Sequence, residues 1–393
     1  MPMQPTPLIY CDHNATTPLH PEVWTAMRPF LLESFGNPSS LHTEGQQARE
    51  AVEEARAHVA QLLGAAPEEI VFTSGGTEAD NLAILGAAFA RRERGRHIIT
   101  SGIEHPAVLG SCRFLEEDGF RITRLPVSPA GVFAPDDLAR ALTDDTILVT
   151  LMHANNEIGT IQPIRECAAL ARSRGVLVHT DAVQSVGKVP TSVDALGVDL
   201  LSLSGHKLYG PKGIGALYVR RGVTLASIVT GGPQEEGLRG GTEHVAAIVG
   251  LGLAAQFAGR DMPAEMPRVA ALRDHLERGV LTAIPDVWAN GAEAPRLPTT
   301  ANLSFQGVDG QSLVVALDLK GVATSTGSAC SSGSLEPSHV LIAMGMPAER
   351  LRGAVRFSLG RGNTREEVEK LIHILPPIVA RLRQHSNGSV RGV

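Results

Sequence analysis

Residues 70–93 read IVFTSGGTEADNLAILGAAFARRE. Ile70–Ser74 is a short β-rich run. Gly75 and Gly76 break it, and the segment after them carries apolar residues at helical spacing. This strand, turn and helix recur along the chain. HIITS (97–101), TILVTLM (146–152), VLVHTDA (176–182), DLLSLS (199–204) and IGALYV (214–219) read as short buried strands. Helical stretches such as 163–175 separate several of them, and 49–63 forms another helix with Gly64 as its stop. Apolar strands alternating with helices predict an α/β fold: a mostly parallel sheet sandwiched by helices.

The bulk numbers agree with a globular enzyme. The chain has 393 residues, 43% hydrophobic and 19% charged, which argues against disorder. A formal charge of −6 speaks against a nucleic-acid groove as the main business of the protein. The four cysteines (Cys11, Cys112, Cys167 and Cys330) form no C-x-x-C pair and are too few for a disulfide scaffold, so a reducing compartment is expected. The start of the chain has no secretory pattern, and the apolar stretch 245–259 is too short for a membrane span. A cytoplasmic location is the expectation, with no membrane and no direct nucleic-acid partner.

Near residue 260 the texture changes. AGRDMPAEMP (258–267) reads as a connector, followed by a helix over 267–282. Strand-like runs at 301–307 and 354–360 and a final helix over 364–383 complete the chain. The expected organisation is a large α/β domain, 15–260, and a smaller α+β domain made of 1–14 plus 261–393.

In an open parallel sheet, ligands bind beyond the carboxyl ends of the strands. After 70–74 come Gly76 and Thr77, either a phosphate cradle at a helix start or an ordinary turn with Thr77 as cap. After 176–180 come Asp181 and Gln184. After 199–203 come Ser204, His206 and Lys207. Singly, Asp181 also reads as a loop or helix cap and Lys207 as a solvated charge; together, a phosphate cradle, a buried acid and a candidate Schiff-base lysine suit pyridoxal 5′-phosphate, which carries a phosphate, a pyridine nitrogen and an aldehyde. Cys330 stands apart from these strand ends. It lies in ATSTGSACSSGSLEPS (323–338), a Gly/Ser run with little to pack against, which reads as a tether.

The chain resembles the cysteine desulfurases of the fold-type I, class V aminotransferase-like group. The likeness runs through NATTPLHPEV (14–23), FGNPSSLH (35–42), FTSGGTEADNLAI (72–84), EHPAV (104–108), HANNEIGTIQPI (153–164), HTDAVQSVGK (179–188), SLSGHKLYGPKGIGALYVR (202–220), RGGTEH (239–244), GSACSSGSLEPSHVL (327–341) and VRFSLGRGNT (355–364). The resemblance implies a pyridoxal-phosphate enzyme that removes sulfur from L-cysteine, releases L-alanine and leaves a persulfide on Cys330. An acceptor protein, such as an iron–sulfur scaffold or a thiolation relay, then takes the sulfur. It implies that Lys207 binds the cofactor's aldehyde, Asp181 pairs with the pyridine nitrogen, and Gln184 bonds the ring hydroxyl. His105 stacks on the ring and serves as a candidate acid/base. Gly76, Thr77, Ser204 and His206 hold the phosphate, with Thr242 from the other subunit of a homodimer. Asn156 lies near the ring oxygen and substrate carboxylate, and Arg356 grips that carboxylate. The long Cys330 segment resembles the iron–sulfur-assembly type. Glu236 stands where the resemblance leads one to expect Arg, a change that bears on partner docking rather than chemistry.

Three other readings compete. A selenocysteine lyase or class V aminotransferase would share the lysine, acid and phosphate residues but not Cys330 in its Gly/Ser run. A metal hydrolase would use His153, Glu157 and His179, but no H-E-x-x-H is present, and no metal is expected. A non-enzymatic sulfur carrier would need a thiol but not Lys207, Asp181 and Arg356 together. Cys11, Cys112 and Cys167 read as structural.

Overall fold

The structure, a computed structural model, describes residues 8–326 and 337–389. In chain order the strands are β1 (Ile9–Tyr10), β2 (Ile70–Thr73), β3 (His97–Ser101), β4 (Arg121–Leu125), β5 (Thr146–Thr150), β6 (Leu177–Asp181), β7 (Leu200–Ser204), β8 (Gly215–Val219), β9 (Val287–Ala289), β10 (Thr300–Phe305), β11 (Val322–Ala323) and β12 (Ala354–Ser358). Seven of them form one sheet in the order β2-β8-β7-β6-β5-β3-β4. All its neighbours run parallel except β8, which is antiparallel to both β2 and β7.

Strands β3, β5, β6, β7 and β8 are buried along their whole length, as an α/β sheet covered on both faces requires. One apolar layer holds Leu82, Ile84, Ile98, Leu148 and Leu217; the other holds Val59, Ile99, Val149, Leu201 and Leu251. Each such side chain removed from water contributes about 1.5–3 kcal/mol. Strand β4 was not expected from the sequence. Its residues alternate weakly and four of the five are not buried, which fits a strand at the sheet's edge.

A second core gathers around a three-stranded antiparallel sheet, β12-β10-β9, and the β1–β11 pair. Ile9 and Cys11 pack into it beside Leu276, Phe305 and Phe357.

The expected connector at 258–267 is helical. A single helix, Val245–Ala283, runs through Pro263 and Pro267. An internal proline costs about 3 kcal/mol. Here both ends of the helix are anchored: Ile248, Leu251 and Ala255 lie in the first core, and Val269, Leu276 and Val280 in the second. That burial outweighs the lost backbone bonds. Among the described residues, no helix is long and apolar enough to cross a membrane.

Candidate active site

One cavity of about 400 Å³ opens at the carboxyl ends of β2, β3, β5, β6 and β7. Its wall includes Gly76, Thr77, His105, Asn156, Asp181, Gln184, Ser204, His206 and Lys207. Arg356 reaches it from β12 of the other sheet. A parallel sheet explains the grouping: strands that all start at one edge all finish at the opposite one, so loops far apart in sequence share one rim.

The first turn of the helix Gly76–Arg91 faces this cavity. Its N-cap is Gly75, and no side chain caps it; Thr77 lies inside the helix instead of capping it. The first N–H groups are therefore left for a ligand, with the positive end of the helix dipole behind them. Strand β8 must pass close beneath this turn. A Cβ on Gly215 would lie 2.7 Å from the Gly75 backbone and 2.6 Å from the Leu203 carbonyl oxygen.

Lys207 Nζ donates to the carbonyls of Ala15, at 2.7 Å, and of Asn14. Gln184 Nε2 donates to the same Asn14 carbonyl at 2.8 Å. Asp181 is 6% exposed. Burial pushes its carboxyl up, while His105, the Val183 N–H and Lys207 pull it back. Asp80 is buried beside it, and its carboxyl is held well above the usual range by burial and by Asp181. Ligand atoms of Asp80, His105 and Asp181 all lie within 4.8 Å of one another. Two buried carboxyls that close favour a single negative charge. His105 caps the helix Pro106–Glu117 through Nδ1, which accepts from the Ala107 N–H at 3.2 Å. His206 bonds Thr16 Oγ1 through Nδ1, and burial then Lys207 push it down to about 4, so it is neutral.

Arg356 is 2% exposed. Its Nη2 donates to Asp12 Oδ1 at 2.7 Å and its Nη1 to the Asn156 carbonyl at 3.0 Å. Its Nε makes no hydrogen bond, and neither do Asn14 Oδ1 and Asp80 Oδ1, although all three are buried. All three residues line the same cavity. A buried polar atom without a partner costs about 1–3 kcal/mol. Asp80 Oδ1 has His179 Nε2 3.6 Å away, which leaves the Asn14 and Arg356 atoms as the two at this wall with no polar partner among the described residues.

Asn14, Ala15, Asp80 and Met152 belong to this wall and were not picked out from the sequence. Asp80 falls one helical turn after Thr77, a spacing that could have suggested it. Among the described residues, one expected residue is not on the wall. Thr242 is exposed and lines a separate cavity of about 260 Å³ with Arg239 and Glu243. Cys330 lies outside the described residues. Glu236 is exposed at φ 54°, next to Glu235, which is buried and takes a two-pronged contact from Arg56 at 2.8 and 2.9 Å.

A larger groove of about 780 Å³ runs past Glu53, Glu68 and Arg221. These side chains are 56%, 66% and 78% exposed, so that groove is a solvated charged surface and not a strand-end site. His153, Glu157 and His179, the hydrolase candidates, are taken up elsewhere. His153 bonds Ser185, Glu157 bonds Ser338, and His179 sits between Thr150 and Ser202. Burial pushes the thiols of Cys11, Cys112 and Cys167 up to about 12, which leaves them unreactive.

Comparison with known proteins agrees with this geometry. The model of the family described as aminotransferase class-V matches residues 9–371. The chain is 53% identical over 375 residues, 95% of both chains, to a protein of Dictyoglomus turgidum named cysteine desulfurase IscS. It is 50% identical over 378 residues to a Methanosarcina thermophila protein of the same name, covering 96% of this chain and 93% of that one. A solved NifS-like protein superposes with a TM-score of 0.90 at 38% identity, over 95% of this chain and all of the other. A structure described as SspA in complex with cysteine gives 0.80 at 40% identity, over 91% of this chain and 100% of that one. With the cavity, its lysine and its acid in place, these matches make the chain a member of the class-V aminotransferase family, within its cysteine desulfurase group.

Proposed function

We propose that this protein is a pyridoxal-phosphate-dependent cysteine desulfurase, with L-cysteine as substrate and Cys330 as the thiol that receives the sulfur. The observation that carries the reading is the convergence of Lys207, Asp181, Arg356 and the uncapped helix start at Gly76 on one cavity.

The residues present fit the cofactor. The uncapped helix start at Gly76 and Thr77, with Ser204 and neutral His206, would hold its phosphate. Asp181 would pair with the pyridine nitrogen, Gln184 with the ring hydroxyl, and His105 with the ring face. Lys207 would take the aldehyde, and Thr242 would complete the phosphate site of the other subunit in a homodimer. When bound, the cofactor supplies an aldehyde for the substrate amine and an electron-poor ring that accepts the electron pair released at the α-carbon.

The protein's own groups do the rest. Arg356, whose side chain reaches the cavity wall, binds the substrate carboxylate beside Asn156. His105 and Lys207 would move the protons. The Cys330 thiolate attacks the substrate sulfur. A carbon–sulfur bond breaks, a sulfur–sulfur bond forms, and in the net reaction the thiol proton ends on the carbon of alanine. The persulfide is then open to a protein acceptor, such as an iron–sulfur scaffold, in a cytoplasmic setting that keeps thiols reduced.

A single-turnover reaction with L-cysteine tests this in wild type and Cys330→Ser, scoring alanine and protein-bound persulfide together. Wild type should yield both in equal amounts, and the variant neither, while keeping its yellow colour. A yellow wild type that makes no alanine from cysteine refutes the desulfurase reading.

A further inference from the structure

The roles above leave the buried cation Lys188 without a task. Lys188 ends the turn that follows β6, four residues after Gln184, and is 7% exposed. Among the described residues no carboxylate pairs with it. The charged groups that face it, Lys207 and Arg356, carry the same sign, and burial with these two pushes its amine down to about 7. His13 and His206 also feel Lys188, and both are pushed down to about 4 and stay neutral. A methionine of similar length would fill this space without the cost of burying a charge. The lysine therefore needs a reason other than packing.

Its hydrogen bond supplies one. Lys188 Nζ donates to Gln184 Oε1 at 2.9 Å, and Gln184 Nε2 donates to the Asn14 carbonyl at 2.8 Å. A backbone carbonyl only accepts, so Gln184 turns its N–H₂ to Asn14, which leaves its Oε1 to accept from Lys188. Held between the two, the Gln184 amide has one orientation, with its N–H₂ on the side of Asn14 and Lys207. The Asn14 carbonyl in turn accepts from Lys207 Nζ, so the chain of contacts ends on the reactive amine.

We propose that Lys188 is a positioning residue that fixes the Gln184 amide with its donor toward the cofactor cavity, and so tunes the chromophore that pyridoxal phosphate forms with Lys207. This rests on the cofactor assignment above and adds a residue to it. The hydrogen bond to Gln184 is what distinguishes the role from ordinary packing and from the direct effect of the Lys188 charge on Lys207.

A double-mutant cycle tests the proposal. Pyridoxal phosphate is titrated into wild type, Lys188→Met, Gln184→Leu and the double variant. The absorbance maximum and its pH midpoint are read, with thermal melts to check folding. Lys188→Met should move the midpoint by about 0.5 unit or more, the scale of a lost contact near a titrating group. The double variant should move no further than Gln184→Leu. A midpoint unchanged in Lys188→Met, or shifts that add in full, overturns the inference. Should Lys188→Met not fold, Lys188→Gln carries the same cycle with the same criteria. A wild-type protein that forms no visible band overturns both the cofactor assignment and this inference. A wild-type band indifferent to Lys188 overturns this inference alone.

Discussion

Arg356 Nη2 lies 2.7 Å from Asp12 Oδ1, joining residues 344 positions apart at the wall of the cavity. The Asn156 carbonyl holds one arm of the guanidinium, and the Asp12 contact holds the other. Asp12→Ala frees that arm. It should raise KM for L-cysteine about 5-fold, the size of a ~1 kcal/mol contact, with kcat little changed. A fall in kcat at constant KM in steady-state assays would contradict a role in substrate binding.

Arg356→Lys keeps the charge and loses the planar fork. Hydrogen bonds to a charged group contribute about 1.5–3 kcal/mol, so KM should rise about 10- to 100-fold. The cofactor band should stay as in wild type. Substrate titrations followed by absorbance check both points, and a wild-type KM would remove Arg356 from the carboxylate site.

Gly215→Ala should damage the phosphate end of the site. The three atoms nearest the new Cβ are backbone, the Leu203 carbonyl oxygen and the Gly75 Cα and carbonyl carbon, none of which can swing away. Overpacking of this kind costs about 1–3 kcal/mol. Chemical denaturation should show that loss, and equilibrium dialysis should show weaker pyridoxal-phosphate binding. Unchanged stability would mean that β8 moves away from the turn more easily than its pairing with β2 and β7 suggests.

Glu104 is fully buried, and burial pushes its carboxyl up to about 8 although Ser101 and the Met152 N–H bond to it. In the unfolded chain it titrates near its ordinary 4.5. Between those values the folded protein keeps a proton that the unfolded chain has released, so this group lowers stability as pH rises from about 4.5 to 8. Glu104→Gln, which cannot release a proton, should therefore gain in melting temperature relative to wild type as pH rises from 5 to 8.5. A difference that is constant with pH would show that Glu104 is ionised in the folded state.

Much of this molecule could be read in its sequence, and for a local reason. Strands of the main sheet are short, apolar and bounded by turn residues, so their period shows without any partner. Because the sheet is parallel, the residues just after each strand could be assigned to one rim, and Gly76, Asp181, Ser204 and Lys207 do share a cavity. The edge strand β4 escaped because an edge needs little apolar character. The connector reading of 258–267 failed because proline is a local signal, and burial at both ends of the helix overrode it.

What the sequence alone determined was the alternation of elements and the chemical kind of residue at each strand end. Tertiary structure alone decided which groups from distant segments meet there. Asp12 turns Arg356, the Asn14 carbonyl gathers Lys207 and Gln184, and Lys188 stands behind Gln184. Periodicity reports only a residue's near neighbours along the chain. Contacts across 170 or 344 positions exist only once the sheets and the cavity between them have formed.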